Sequence, residues 1–326
     1  MKVLVTGGTG FIGSHLVEAL IHRGAQVRCL LRKSSDLKWI KGLPIEYAWG
    51  DCRDKVSLKE AVKGVDQVFH SAGITKAVKE EAFFEINAHG TENLIQACLD
   101  HNPSLQRFIY ISSQAAAGPS RNGNRRKETD PCEPVSPYGR SKRMGEELTL
   151  AYAHKLPVLI LRPSAVYGPR ERDIYLLFRF LSKGINICAS DPKQRISLCY
   201  VRDVVQAILL SAENQFSQGE IFFISDGQDY LIEKVGDTFA EAMDKNTFRL
   251  CIPKWMLLGI ASFSEYVSQL SQKPALINRG KVEEMIQKSW VCDITKAKTV
   301  LGFDPSTLLL EGARLTVDWY KKENWL

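Results

Sequence analysis

The sequence lacks any hydrophobic run long enough to cross a lipid bilayer. Its longest apolar stretch, Trp255–Phe263, is much shorter than the roughly 20 residues that a membrane-spanning helix needs. No secretory signal precedes the apolar segment that begins near Lys2, because that segment already has the pattern of a core strand. We therefore expect a cytoplasmic protein without a membrane span.

Closely paired cysteines are also absent, because no two of the eight have the C-x-x-C spacing of zinc and redox sites. Several lie in apolar stretches. Reduced, buried thiols fit this distribution better than disulfides do, and we predict no metal site. The cysteines are Cys29, Cys52, Cys98, Cys132, Cys188, Cys199, Cys251 and Cys292.

There is no large excess of charge of either sign. The net charge is +6 over 326 residues, with 44% hydrophobic and 25% charged residues, as in ordinary globular proteins. No basic stripe interleaved with aromatic residues indicates a nucleic-acid partner. The densest basic run, RNGNRRK at 121–127, is polar and contains glycine. We interpret it as a solvated loop, with a surface facing an anionic substrate as the alternative.

A glycine-rich turn near the N-terminus predicts a ligand. Val3-Leu4-Val5 has the pattern of a buried strand, and Gly7, Gly10 and Gly13 follow it at intervals of three, with GTGFIG at 8–13 matching G-x-G-x-x-G. Such glycines permit a tight turn, close approach to a pyrophosphate and close packing of helix on strand. The pyrophosphate would lie at the N-terminus of the helix that begins near Phe11. A glycine-rich turn without a ligand is the alternative, and the strand-turn-helix context favours a dinucleotide.

Apolar strands and helices alternate through the first half of the chain. This pattern predicts an α/β fold with a doubly wound parallel sheet of six buried strands. Beyond Pro163 the alternation loosens into a smaller, helix-rich lobe. We expect an NAD(P)-binding domain at 1–165 and a mainly substrate-binding lobe at 166–326, with elements near 201–225 returning to the sheet. The predicted strands are 3–5, 26–31, 45–49, 65–70, 107–111, 158–161 and, later, 221–225. The predicted helices are 11–23, 57–63, 80–100, 138–154, 174–183, 201–213, 232–243, 255–270, 281–287 and 309–320.

A tyrosine and a lysine share one face of the predicted helix at 138–154. Ser136 is a plausible cap with Pro137 at the first position, which puts Tyr138 and Lys142 one turn apart. A tyrosine of reference pKa about 10 acts as a base near neutral pH only if its phenolate is stabilised, and a nearby ammonium does this. Alone, this spacing is also typical of exposed helix faces. Ser112-Ser113, at the end of the strand at 107–111, adds hydroxyls on the edge where a cofactor would lie.

These segments together resemble the extended short-chain dehydrogenase/reductase family. The matching pieces are TGGTGFIG (6–13), GD (50–51), HSAG (70–73), NAHGTENLIQAC (87–98), ISSQAAAG (111–118), YGRSK (138–142) and LRPSAVYGP (161–169). The resemblance implies that Tyr138 is the acid/base, that Lys142 tunes it and holds the nicotinamide ribose, and that Ser113 positions the substrate, with Ser112 as the alternative. It also implies a homodimer. The cofactor-binding residues that it implies are Gly7, Gly10, Phe11, Ile12, Gly13, Arg32, Asp51, Ala72, Gly73, Asn87, Tyr138, Lys142 and Pro163.

Departures from the family's patterns reduce the number of reactions that the resemblance allows. The Asp-Glu pair of 4,6-dehydratases is replaced by Gln114 and Ala115, so no carboxylate pair is available to eliminate water. The Asn by which epimerases contact a nucleotide diphosphate is replaced by Ala165, and their Arg-Asp pair by Ile196 and Ser197. The segment RPSAVYGP instead resembles the 3β-hydroxysteroid dehydrogenase and dihydroflavonol reductase branches.

An apolar substrate is the expectation that follows. Leu198, Tyr200 and the apolar helix around Trp255–Phe263 are expected to line its pocket, with an amphipathic packing helix as the alternative for that last segment. A pocket of this kind rejects a sugar diphosphate by leaving its charges unpaired. Three cations stand against this expectation because they would suit a different phosphate site: Arg170, Arg172 and Arg195.

The end of the second predicted strand bears on the choice of cofactor. Enzymes that select NAD commonly place an acid there, whereas this chain has Arg32, followed by Lys33, Ser34 and Ser35. A guanidinium suits a 2′-phosphate, so we favour NADP(H). A solvated basic turn is the alternative, and Asp36 is near enough to keep NAD(H) open.

Three function classes follow. The first is an NAD(P)-dependent oxidoreductase that interconverts a secondary alcohol and a ketone on a largely apolar small molecule, similar to a hydroxysteroid, terpenoid or flavonoid. The second is a nucleotide-sugar 4-epimerase with tightly held NAD. The third is a cofactor-binding redox sensor without catalysis, against which the complete Ser113, Tyr138 and Lys142 set argues.

Overall fold

The computed structural model describes residues 1–189, 191–214 and 217–326. Its strands are β1 (Lys2–Thr6), β2 (Gln26–Leu31), β3 (Glu46–Trp49), β4 (Gln67–His70), β5 (Arg107–Ile111), β6 (Val158–Pro163), β7 (Ala165–Tyr167), β8 (Ile185–Ala189), β9 (Arg195–Ile196), β10 (Leu198–Tyr200), β11 (Glu220–Ile224), β12 (Tyr230–Leu231), β13 (Phe248–Ile252) and β14 (Ser289–Trp290).

Its α-helices are α1 (Phe11–His22), α2 (Lys55–Val62), α3 (Glu81–Phe84), α4 (Gly90–His101), α5 (Gln114–Ala117), α6 (Pro137–Ala151), α7 (Asp173–Ser182), α8 (Val201–Glu213), α9 (Ile232–Ala242), α10 (Lys254–Ser271), α11 (Arg279–Met285) and α12 (Leu309–Lys322). Two π-helical turns add to them, at Glu85–His89 and Ala297–Leu301.

A parallel sheet of seven strands forms the centre of the molecule, in the order β11-β6-β5-β4-β1-β2-β3. This confirms the predicted doubly wound α/β fold, and β11 joins the sheet from the second half of the chain. The strand order reverses between β1 and β4. Ligands of such sheets bind at this reversal, outside the carboxyl ends of the strands.

Helices cover both faces of the sheet because its strands are apolar on both sides. On one face, α1 and α8 contribute Leu16 and Ile208 to a buried cluster. On the other, α2 and α4 contribute Leu58 and Leu94. These two layers fix the carboxyl edge of the sheet as a rigid platform.

Two sequence predictions in this half were wrong. The strand β3 is not buried, because it lies at the sheet edge with β2 as its neighbour, and Trp49 is 51% exposed. The helix predicted at 80–100 is not a single α-helix, because the π-helical turn at Glu85–His89 separates α3 from α4.

The second half has its own aromatic core, in which Phe178 stacks on Phe239 with ring centroids 4.6 Å apart. Short strands complete it: β9 pairs with β12 and β14, β7 with β10, and β8 with β13. These short strands were not predicted from the sequence. Within the described residues, no helix is both long and apolar enough to span a bilayer.

All eight cysteines are free thiols. The expectation of buried thiols fails at Cys251, which is exposed, and at Cys132, which is half-buried. The other six cysteines are buried, and burial raises the pKa of the Cys29 thiol to about 12.

Candidate active site

A buried histidine joins the strands on the two sides of the reversal. The Nδ1 atom of His70 lies 2.7 Å from Thr6 Oγ1, and its Nε2 atom lies 2.9 Å from Thr91 Oγ1. Because the Thr91 hydroxyl donates to the Asn87 carbonyl, Nε2 carries the proton of the neutral ring. Burial lowers the pKa of His70 to about 3. The ring is therefore a neutral structural link between β1, β4 and α4.

In the glycine-rich turn between β1 and α1, two of the glycines have no room for a side chain. Gly7 has φ +73°, and a Cβ there would lie 2.7 Å from the Ser71-Ala72 backbone. A Cβ on Gly13 would lie 2.1 Å from the Gly7 carbonyl oxygen. Gly10 is the N-cap of α1 and supplies no side-chain cap, which leaves the first helical amides, from Phe11 and Ile12 onward, free to bind an anion. The turn fits a pyrophosphate.

Arg32 lies just beyond β2, at the rim of this cleft, where its side chain is exposed. Its backbone N–H donates to Ser35 Oγ, and within the described residues its guanidinium forms no ion pair. Asp51, beyond β3, is held by Arg53, which lowers the pKa of that carboxyl. The Asp36 carboxylate accepts a hydrogen bond from the Lys38 N–H.

Asn87 holds the loop after β4 in place. Its Oδ1 atom accepts from the Ile74 N–H at 2.8 Å, while its Nδ2 atom donates to the Ile74 carbonyl and to Ser141 Oγ. The amide thus ties Ala72-Gly73-Ile74 to α6. Its hydrogen bonds go to the protein, so Asn87 positions this loop.

The helix α6 begins as predicted, with Ser136 Oγ accepting from the Gly139 N–H and Pro137 in the first turn. Tyr138 follows, and the Ser113 side chain lies near enough to its hydroxyl to lower the pKa of Tyr138. Ser113 also caps α5, through the Ala115 N–H. Ser112 is turned the other way and donates to Glu146 at 2.6 Å. Of the two serines, the structure brings Ser113 to the tyrosine.

Lys142 lies below Tyr138 and is buried. Its Nζ atom donates to the Ile111 carbonyl at 2.8 Å and lies 4.2 Å from the centre of the Tyr110 ring. Burial lowers the pKa of Lys142 to about 7, against the opposing effect of Glu146. Burial also raises the pKa of Tyr138 to about 12, although the nearby Ser113 side chain lowers it. The expected lowering of the Tyr138 pKa by Lys142 is not seen, because burial raises that pKa and the lysine donates to the Ile111 carbonyl instead.

A buried ion pair beneath the site was missed by sequence reasoning. Arg162 on β6 donates to both carboxylate oxygens of Glu146, at 2.9 and 2.7 Å, and both side chains are buried. Two signals were present. Tyr138, Lys142 and Glu146 repeat every four residues on one helix face, and Arg162 is a lone cation in an apolar strand.

Two more polar side chains near the site were not predicted as site residues from the sequence. The Gln114 Nε2 and Ser164 Oγ atoms are buried and have no hydrogen-bond partner within the described residues. Gln114 directly follows Ser113, and Ser164 directly follows Pro163 at the end of β6. Unpaired buried groups of this kind are costly unless a ligand or water satisfies them.

The residues expected to line an apolar pocket lie elsewhere. Leu198 and Tyr200 are buried in the aromatic core of the second half, because β10 packs inward there. Trp255 and Phe263 are on the outer face of α10, 72% and 70% exposed. That part of the pocket prediction was wrong.

Two of the three cations that suggested a phosphate site are already paired. Arg170 binds Glu18 at 2.6 Å, and Arg195 binds Asp229 at 2.5 Å. Arg172 is exposed at the start of α7.

A cavity of about 610 Å³ lies in the loop that contains the basic run. Its arginines are also engaged. Arg121 pairs with Glu133, Arg125 pairs with Asp229, and Arg126 donates to backbone carbonyls.

Comparison with known proteins gives matches over almost the whole chain. The NAD dependent epimerase/dehydratase family model matches residues 3–225. The chain is similar to sterol demethylase protein B of Methylococcus capsulatus, with 31% identity over 80% of each chain. It is similar to ceramide reductase of Caulobacter vibrioides, with 27% identity over 99% of this chain and 96% of that one. The solved UDP-glucose 4-epimerase of Thermotoga maritima, bound to UDP-glucose, superposes with a TM-score of 0.82 and 25% identity, over 99% and 100% of the two chains.

Proposed function

The chain belongs to the NAD-dependent epimerase/dehydratase family and is an NAD(P)-dependent enzyme, and from that premise we propose that it interconverts a secondary alcohol and a ketone on a largely apolar small molecule. The observation that carries this proposal is the approach of the Ser113 side chain to the Tyr138 hydroxyl at the carboxyl end of β5. Two hydroxyls there converge on one point, which suits a single substrate oxygen. The neighbouring Gln114 and Ala115 supply no carboxylate for dehydration.

In this proposal Tyr138 is the proton donor for reduction. Since burial raises its pKa to about 12, the phenol is protonated at neutral pH and donates to the ketone oxygen as negative charge develops there. Ser113 donates a second hydrogen bond to the same oxygen and orients the carbonyl. In the reverse direction Tyr138 takes the proton from the alcohol. Lys142, with a pKa near 7, changes its charge with small changes in its surroundings and stabilises the phenolate that forms.

The cofactor would lie across the reversal between β1 and β4. Its pyrophosphate would be held by the turn from Gly7 to Gly13, its ribose and nicotinamide by Lys142 and by the loop at Ala72-Gly73. Asp51 and Pro163 would complete the two ends of the cleft. The nicotinamide supplies the hydride acceptor or donor when bound.

Arg32 supports NADP(H) as that cofactor. Its guanidinium is exposed and, among the described residues, forms no ion pair, although its charge helps to lower the pKa of the nearby Asp51 carboxyl, which Arg53 binds. A 2′-phosphate would pair with it through charge-assisted hydrogen bonds. We expect NADPH to bind more tightly than NADH. Arg32→Ala should weaken NADPH binding roughly tenfold or more and leave NADH binding unchanged. Arg23→Ala, on the exposed end of α1, is the control. Tighter NADH binding by the unaltered protein would refute this choice.

Three observations support an apolar substrate. Ala165 and Ile196 replace the polar and charged groups that hold a diphosphate in epimerases, and Arg170 and Arg195 are already paired with carboxylates. Two of the relatives are a sterol demethylase protein and a ceramide reductase. A sugar diphosphate would leave its charges unpaired here.

The test is cofactor-dependent turnover across a substrate panel, measured by NADPH and NADH absorbance. Sterol, terpenoid and flavonoid ketones form one arm, and UDP-sugars form the other. We expect oxidation of the cofactor with a member of the first arm and none with the second. Epimerisation of a UDP-sugar, without net change in the cofactor, would contradict the proposal.

A nucleotide-sugar 4-epimerase is the second candidate, and the similarity to the T. maritima epimerase over nearly the full length favours it. The two candidates differ in how the cofactor is held. An epimerase keeps NAD bound through purification, whereas the proposed reductase exchanges it. Denaturing the purified protein and measuring released nucleotide therefore separates them.

A further inference from the structure

The helix α10 carries an apolar face that points away from the protein. At 100° per residue, its exposed apolar side chains fall within an arc of about 140°. Leu257 and Ala261 lie on the opposite side and are buried against α11. The exposed residues are Trp255, Met256, Ile260, Phe263, Tyr266, Val267 and Leu270. This set, here called the α10 face, contains no charged residue.

The preceding strand carries two further exposed apolar side chains. Phe248 and Leu250 on β13 are exposed just before α10 begins. Contiguous apolar patches of this extent are rare on surfaces that stay in water, and they mark sites of association.

Positive charge is concentrated around the same face. The segment 245–281 contains six lysines and arginines and a single carboxylate, Glu265, and so carries most of the chain's net charge of +6. Arg249 and Arg279 pair with Asp237 and Glu265. Lys281 pairs with Glu284.

Three lysines of this segment remain without an ion pair among the described residues. Lys245 lies before β13, Lys254 begins α10, and Lys273 follows its last turn. Apolar surface is thus bracketed by cations at both ends of one helix.

We propose that the α10 face docks on the surface of an anionic lipid bilayer. A helix with tryptophan, phenylalanine and leucine on one side and lysines at its ends is the arrangement that lies in a membrane interface. Trp255 and Tyr266 suit the headgroup level, where an aromatic ring is partly apolar and partly wet. Lys254 and Lys273 would extend to the lipid phosphates.

Charge favours a bilayer over a second copy of the chain. Two copies packed through the α10 face about a two-fold axis would place the helices either antiparallel or parallel. In both arrangements a cation at the end of one helix meets a cation at the end of the other, and such like-charge contacts oppose association. Anionic lipids would instead pair with the cations at both ends of α10.

The docked face would lie one helix away from the catalytic tyrosine. α10 is joined to α11 by the Arg279 N–H, which donates to Glu265 at 2.7 Å. α11 in turn reaches the start of α6, where Ser136 bonds to Glu284 and Gly280 lies against Pro137. Tyr138 follows directly. The docking itself does not depend on the reaction proposed above.

The test is co-sedimentation of the full chain with vesicles of phosphatidylcholine alone or mixed with phosphatidylglycerol. We expect binding to the mixed vesicles that falls as salt is raised, and little binding to phosphatidylcholine alone. Phe263→Glu and Leu270→Glu should each reduce the bound fraction at least tenfold. Val56→Glu, an equal change at a residue 83% exposed on α2, should not reduce it.

A paired variant, Lys254→Gln with Lys273→Gln, should lose the dependence on phosphatidylglycerol while retaining the fold. Failure of the unaltered protein to sediment with mixed vesicles would overturn the proposal. An equal loss of vesicle binding in Val56→Glu would overturn it as well. If Phe263→Glu instead converts a dimer into a monomer in light scattering and leaves vesicle binding intact, the face binds a second copy and the proposal is wrong.

Discussion

At Tyr138 the chemistry depends on which groups reach one hydroxyl. Burial raises the pKa of the Tyr138 hydroxyl and keeps it protonated, Glu284 raises this pKa further, and the nearby Ser113 side chain lowers it. The tyrosine and the lysine could be predicted from their spacing in the sequence, but the choice between Ser112 and Ser113 could not. The choice between them depends on Glu146, which accepts a hydrogen bond from Ser112 and so holds that serine away from Tyr138.

Removing that hydroxyl is the first prediction. Tyr138→Phe should lower turnover by roughly 10²–10⁴-fold, because the proton donor is lost, and leave cofactor affinity nearly unchanged. Steady-state rates and cofactor titration measure both. Tyr47→Phe, on the edge strand β3, is the control and should behave as the unaltered enzyme. Near-normal turnover in Tyr138→Phe would remove the tyrosine from the mechanism.

The second prediction concerns the buried ion pair. Glu146→Gln leaves Arg162 charged and buried without its counter-ion, which should cost about 3–5 kcal/mol in the free energy of unfolding. Glu147→Gln is the matched control, because Glu147 is exposed and, in the part of the chain that the structure describes, pairs only with Arg143. It should change stability by less than about 1 kcal/mol. Urea unfolding compares the two, and equal losses would contradict the assigned role of the pair.

His70 gives the third prediction, a pH dependence. Its pKa is 6.5 when free and about 3 in the fold, so between these values the unfolded chain binds a proton that the folded chain does not. Stability from this group is therefore complete above pH 6.5 and is lost as pH falls toward 3. Each pH unit in this interval corresponds to about 1.4 kcal/mol for a single group.

A substitution isolates this contribution. His70→Gln should be less stable at neutral pH, because its links to Thr6 and Thr91 are lost, but its stability should fall less steeply as pH is lowered. His22→Gln removes an exposed histidine and should retain the full slope. Chemical unfolding at several pH values measures it, and identical slopes for His70→Gln and the unaltered protein would show that the ring is protonated in the fold.

At the scale of elements, the first half of the chain could be predicted closely. β2 and α8 have the bounds that the periodicity indicated, since six or more residues of regular pattern define an element. The short strands of the second half could not. β9 has two residues and exists because β12 and β14, distant in the chain, pair with it. The local sequence pattern around a strand does not show which distant strands will pair with it.

The fourth prediction concerns two helical glycines, one whose replacement should be harmful and one whose replacement should be stabilising. Gly13→Ala puts a methyl group 2.1 Å from the Gly7 carbonyl, so the turn must shift and cofactor affinity should fall at least tenfold. Gly259→Ala meets nothing within 4 Å and should raise the free energy of unfolding by about 0.5–1 kcal/mol. Cofactor titration and thermal unfolding distinguish them. Unchanged affinity in Gly13→Ala would show that the pyrophosphate lies elsewhere.

At the scale of the whole molecule, the site is assembled across both halves of the chain. Ser136 meets Glu284, and Arg125 and Arg195 share Asp229. Such pairs join positions far apart in sequence, so composition and spacing could not reveal that the cations of a possible phosphate site were already satisfied. The same limit explains the wrong placement of the pocket, because the burial of Leu198 and the exposure of Phe263 are decided by packing among elements distant in the sequence.

The most direct test of the proposed substrate class is calorimetry of UDP-glucose binding to the cofactor-loaded enzyme, with UDP alone as the control. Because Ala165 and Ile196 supply no polar partner and Arg170 and Arg195 are paired, the account predicts a dissociation constant weaker than about 100 µM, or no measurable heat. Binding of UDP-glucose tighter than about 10 µM, roughly −7 kcal/mol, would contradict the apolar-substrate account and identify a nucleotide-sugar enzyme.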